Sequence, residues 1–96
     1  MDDVTFDGFD WDNGNWPKCG KHGMTQAEIE QVFANEPAVH DNPVHSDTEQ
    51  RFKAIGRTNA KRLAYVSFPF RGPLIRPIRA RFMHQKEVDS YERIRK

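Results

Sequence analysis

Ninety-six residues, 36% hydrophobic and 30% charged, suit one modest core and leave little chain for a second, so a single domain over 1–96 is expected. No apolar run approaches the roughly 20 residues of a membrane span, MDDVTFD lacks the basic and apolar regions of a signal peptide, and a lone cysteine excludes an internal disulfide framework; the expectation is a cytoplasmic protein with no membrane partner. The net charge of +1 conceals a division, because residues 1–50 carry eleven Asp/Glu against two Lys/Arg (−9) and residues 51–96 three against thirteen (+10).

In chain order, VTFDGFDW (4–11) alternates loosely and predicts a first strand, with a bulge at Gly8. Asn13-Gly14 signals a turn. Pro17 then opens a short helical stretch, PKCGKHG, with Gly23 as its C-terminal cap. Thr25 and Glu28 have the T-x-x-E spacing of a capping box and start a helix over QAEIEQVFAN. Ile29, Val32 and Phe33 fall at i, i+3 and i+4, which gives that helix one apolar face. Pro37 and Pro43 bracket a loop, or at most a short edge strand at AVHD.

The second half reads as a three-stranded meander: RFKAIGRT (51–58), RLAYVSFPF (62–70) and LIRPIRARF (74–82), joined by turns at 59–61 and 71–73. A last helix over roughly 85–94 stacks Val88, Tyr91 and Ile94 on one side. The result is an α+β arrangement, helices packed on one small antiparallel sheet containing a C-terminal three-stranded meander. Its final strand breaks alternation. Arg76 shares parity with Leu74, Ile78, Ala80 and Phe82, whereas Arg79 and Arg81 share it with Ile75 and Pro77. Pro77 cannot donate a ladder hydrogen bond, so an edge position or a bulge is expected there.

Three chemistries compete for the polar residues. Cys19 and His22 in C-x-x-H spacing, followed by His40 and His45, offer zinc-type ligands; against this, Cys19 also reads as a small buried hydrophobe and the histidines as loop residues. Cys19 beside Lys18, Lys21 and His22 could serve as a nucleophile, yet nothing in the sequence supplies an orienting partner. Phosphodiester chemistry on RNA needs cations at the scissile phosphate and two proton carriers. Arg51, Arg57, Arg76, Arg79 and Arg81 are the cations, and His45, Glu49, His84 and Glu87 the carriers. Clustered cations attract phosphates by counterion release; the plainer alternative is a solvated strand face, or two halves that neutralise each other on folding.

Laid in order, FDWD (9–12), KCGKHG (18–23), EIEQVF (28–33), HSDTEQRFKAIGRT (45–58) and IRPIRARFMHQKEVDSY (75–91) resemble the BrnT family of bacterial toxins. The resemblance implies a RelE-like α+β fold and a ribonuclease that arrests growth by cleaving RNA without metal or other cofactor. It also implies a BrnA-like ribbon-helix-helix antitoxin, through which alone the pair would reach operator DNA. The family pattern carries over onto Lys21, His22, Gly23, Glu49, Arg51, Gly56, Arg57, Arg76, Arg81, Glu87 and Tyr91, and departs at Arg79, where relatives commonly have serine, and at Phe82. On that basis Arg51 and Arg81 are expected to stabilise the transition state and His84 and Glu87 to manage protons. Lys21, Arg57, Arg76 and Arg79 would hold neighbouring phosphates, with His22, His45 and Glu49 as acid–base or structural residues. The rival expectation is an inactive module that binds RNA or the antitoxin and serves only as co-repressor.

Overall fold

The computed structural model describes residues 6–42 and 49–95. After a 3-10 turn (Lys18–Gly20), helix α1 (Gln26–Ala34) leads to strands β1 (Ala38–Asp41), β2 (Phe52–Arg57), β3 (Leu63–Phe68), β4 (Phe70–Arg71), β5 (Leu74–Ile75) and β6 (Arg79–Phe82), and then to helix α2 (Gln85–Arg95). The main sheet is antiparallel in the order β1-β2-β3-β6, and β4-β5 form a separate hairpin. The α+β expectation and the meander hold. Among the described residues no helix is long and apolar enough to cross a membrane.

Local chemistry explains the starts and stops. The Thr25 hydroxyl accepts from the Glu28 N–H while the Glu28 carboxylate accepts from the Thr25 N–H, closing the capping box read from the sequence; such a cap is worth about 1 kcal/mol. AVHD is the edge strand β1 rather than a loop. Residues 6–11 make only one isolated bridge, Phe9 to Ile75, instead of the expected strand. The last predicted strand is split. Pro77 interrupts the ladder, so β5 and β6 lie in different sheets, and Arg76 leaves the row that holds Ala80 and Phe82.

Because paired residues share a face, the ladder sorts the side chains into two sets. One face carries Val39–Ala54–Val66–Ala80, Phe52–Phe68 and Gly56–Ala64–Phe82 across the strands. Helix α1 lays Ile29, Val32 and Phe33 on it, and this is the core. A side chain at Gly56 would come within 2.9 Å of the Pro37 Cβ and 3.3 Å of Val32, so glycine allows this close approach. The opposite face carries His40–Lys53–Ser67–Arg79 and Ala38–Ile55–Tyr65–Arg81. Its far end is apolar: Ile55, Leu63 and Met83 meet Val88 and Tyr91 of α2 in a small second cluster. Ile94, expected on that helix face, is 82% exposed.

Candidate functional site

The charge division seen in the sequence is only partly settled by folding. Arg76 and Arg71 of the second half pair with Asp10, Asp12 and Glu49 of the first, whereas Arg57 and Arg81 pair with Glu92 and Glu87 of their own half. A cluster of cations lies on the outer face of the sheet. A cleft of about 560 Å3 is lined by Lys18, Arg51, Lys53, Arg79 and Arg81, together with Gly14, Asn42, Tyr65, Ser67, Ile78 and Ala80. Among the described residues, five cations and no carboxylate line it, and one of the five, Arg81, is paired with Glu87 from behind. A second cavity, of about 880 Å3, lies at the other end of the sheet, where Arg57 and Lys61 are balanced by Glu36 and Glu92. Charge decides between them: among the described residues cations outnumber carboxylates in the lining of the first and balance them in the second, and an excess of cations is what an anion senses.

Strand geometry brings these cations together. Arg51 and Lys53 are two apart on or beside β2, Arg79 and Arg81 two apart on β6, so each pair points to one side. Between them β3 presents Ser67 opposite Arg79 and Tyr65 opposite Arg81. Tyr65 carries the Arg81 guanidinium 4.5 Å and the Lys53 ammonium 5.2 Å from its ring centre, within range for cation–π attraction. The Asn42 amide donates to the Ser67 hydroxyl at 3.2 Å and completes the floor.

Arg81 is set by a carboxylate behind it. Its two terminal nitrogens donate to Glu87 at 2.8 and 2.9 Å, a fork-to-fork pair, and one also donates to the Phe82 carbonyl. Glu87 accepts further from the Tyr65 hydroxyl at 3.2 Å and from the His84 backbone N–H at 2.8 Å. The Arg81 hydrogen bonds, helped by the His84 N–H, pull the Glu87 carboxyl down from 4.5 to about 2, and the same bonds raise Arg81. Burial and the neighbouring Glu87 charge push the Tyr65 hydroxyl up. Glu87 is thus an anion under all ordinary conditions and fixes its partners. A carboxyl whose folded pKa is depressed adds stability above its unfolded pKa and loses it as pH falls through the folded one. Wild type is therefore expected to lose melting temperature between pH 4.5 and about 2, and Glu87→Gln to show a shallower loss over the same window; parallel acid profiles would refute this linkage.

The sequence-derived candidates separate into groups. Arg51, Arg79 and Arg81 line the cleft, with Glu87 joined to it through Arg81. His84 stands exposed just before α2, its N–H on Glu87. Arg76 lies apart, 13% exposed and clamped by Asp10 and Asp12. Arg57 faces Glu92 and the Lys61 carbonyl in the second cavity, and Glu49 pairs with Arg71. Lys21 and His22 are exposed beside the 3-10 turn, outside the cleft lining. His45 lies outside the described residues. Lys53, Tyr65 and Ser67 were not among the expected site residues, and Lys18 figured only as a neighbour of Cys19. Lys53 could have been found from its parity with Arg51, and Tyr65 and Ser67 from the alternation of LAYVSF.

For the zinc and thiol candidates, Cys19 is buried in the core and burial pushes its thiol up to about 11. His22, just past the 3-10 turn, and His40, on β1, are exposed on separate segments. Among the described residues no three His, Cys, Asp or Glu side chains gather as metal ligands would.

A family model described as "Ribonuclease toxin, BrnT, of type II toxin-antitoxin system" matches residues 11–87. No curated protein matches the chain.

Proposed function

We propose that this chain, which belongs to the BrnT family of ribonuclease toxins of type II toxin–antitoxin systems, cuts RNA in the basic cleft without a metal ion and so arrests growth in the cytoplasm. In the reaction a ribose 2′-oxygen attacks the adjacent phosphorus. The 2′-O–P bond forms as the P–O5′ bond breaks; the 2′-hydroxyl loses its proton and the leaving 5′-oxygen gains one. A 2′,3′-cyclic phosphate and a free 5′-hydroxyl result. Negative charge gathers on the phosphoryl oxygens in the transition state, and donors already in place there supply the largest share of such catalysis.

The observation that carries this reading is the convergence of five cations on one cleft whose lining, among the described residues, holds no carboxylate. Arg51 and Arg81 are assigned to the reacting phosphate, with Lys53 and Arg79 beside them. A carboxylate held near 2 matches a proton carrier at neutral pH poorly, so Glu87 is assigned to hold Arg81 and Tyr65 in register. Proton transfer is assigned to His84, the exposed imidazole just before α2 whose backbone N–H binds Glu87. A BrnA-like ribbon-helix-helix antitoxin is proposed to neutralise the toxin and to carry it to operator DNA.

The test is cleavage of a single-stranded RNA in EDTA. Fragments ending in cyclic phosphate are expected, and a 2′-deoxy nucleotide at the cut should abolish the cut there. Dependence on added Mg2+, or cutting that survives the 2′-deoxy change, would overturn the mechanism. The bidentate Arg81–Glu87 pair favours one second reading, a cleft that only binds RNA or an acidic antitoxin segment. Salt-dependent binding with no cleavage by the wild type would select it.

A further inference from the structure

The cleft has two walls, and only one of them is the sheet. The other is the turn at residues 12–18, which contributes Gly14 and Lys18. Lys18 is exposed and makes no ion pair among the described residues. Its charge faces the same space as Arg79 and Arg81, and like charges do not collect around an empty space without cost. A second phosphate of the substrate strand would answer it.

The turn is held by an uncharged residue whose two amide donors are both used. Asn15 is 2% exposed. Its amide donates to the Asp10 carbonyl at 2.9 Å and to the Pro77 carbonyl at 2.8 Å, and its side-chain oxygen accepts from the Asp12 N–H at 2.8 Å. The Asn15 carbonyl accepts from the Cys19 N–H at 2.8 Å, which anchors the 3-10 turn bearing Lys18. Pro77 directly precedes Ile78 and Arg79 on the sheet wall. Asn15 therefore ties one wall to the other. Arg76 reinforces the tie from outside through its bidentate bonds to Asp12 at 3.0 Å, and a side chain at Gly14 would fall 2.9 Å from its Nη2.

We propose that Lys18 binds an RNA phosphate adjoining the one at the reacting centre, and that Asn15 is its positioning residue. The proposal rests on the ribonuclease reading above and adds a substrate requirement: a strand long enough to lay consecutive phosphates across both walls.

The experiment measures binding of a single-stranded RNA made uncleavable by 2′-O-methyl groups, over a range of salt. Each phosphate contact on a single strand contributes about 0.7 to the slope of log affinity against log salt. Lys18→Ala should lower that slope by about 0.7. Asn15→Ala removes no charge, yet should lower it similarly, and the double variant should lose nothing further. Gly14→Ala, also uncharged, is a second probe of the turn should Asn15→Ala not fold, and should lower the slope in the same direction. A wild-type slope in Lys18→Ala would overturn the proposal while leaving wild-type cleavage in EDTA intact. A wild-type slope in folded Asn15→Ala, or in Gly14→Ala where Asn15→Ala does not fold, would overturn the positioning role. Absence of wild-type cleavage together with the expected slope changes would count against the ribonuclease reading alone.

Discussion

Arg81→Ala is expected to slow RNA cleavage in EDTA by about 100- to 1,000-fold, the usual loss when one donor aimed at developing transition-state charge is removed. Arg81 lines the cleft and is the cation whose direction is set from two sides, by the fork of Glu87 and by the Tyr65 ring. Because Arg81 is also the main partner of Glu87, some loss of melting temperature should accompany the loss of turnover, and cleavage is read well below the midpoint of each variant. Arg81→Lys keeps a positive charge but not the fork and should recover only part of the rate. Turnover of Arg81→Ala within threefold of wild type would remove this side chain from the reaction.

Phe68→Ala is expected to be the most damaging single change to stability, lowering it by about 3–5 kcal/mol. Phe68 has no exposed surface and sits where three aromatic neighbours meet it: Phe33 of α1 at 5.0 Å edge-on, Phe70 at 5.5 Å and Phe52 at 5.7 Å between ring centres. Four elements would border the void, and none can collapse into it without leaving another contact. A domain of this size has a total stability of about 5–15 kcal/mol, and about 4–8 °C of melting temperature goes with each kcal/mol. Urea titration should show an earlier midpoint at an unchanged slope. A loss below about 1 kcal/mol would mean that α1 is not seated on this face of the sheet.

The parts of the fold that were legible were those governed by local rules. Thr25 and Glu28 announced their helix through capping chemistry, and Ile29, Val32 and Phe33 announced its buried face. The central strands followed from alternation. Of the strand expected at 4–11, residues 4 and 5 lie outside the described residues, and 6–11 misled because the aromatic residues there serve packing: Phe6 and Phe9 meet Phe33 edge-on, while the Trp11 ring N–H reaches Glu30. In the site, Arg51, Arg79 and Arg81 came from residue type and parity. Arg76 looked like one of them, and its carboxylate partners stand 64 and 66 positions away in sequence, a separation no local pattern reports. Lys18 and Asn15 were illegible for the same reason: their meaning depends on Pro77, 62 positions from Asn15.

The pleat of β2, β3 and β6 has a consequence for how this molecule can change. Ala54, Val66 and Ala80 look inward, and their immediate chain neighbours Lys53, Ser67, Arg79 and Arg81 look outward. On the proposed reading, substitutions at the outward positions recast which strands are accepted, or whether any is cut, while the adjoining inward residues keep the folded state intact. Lineages could thus drift in target or fall silent without misfolding, one codon away from residues that tolerate almost nothing.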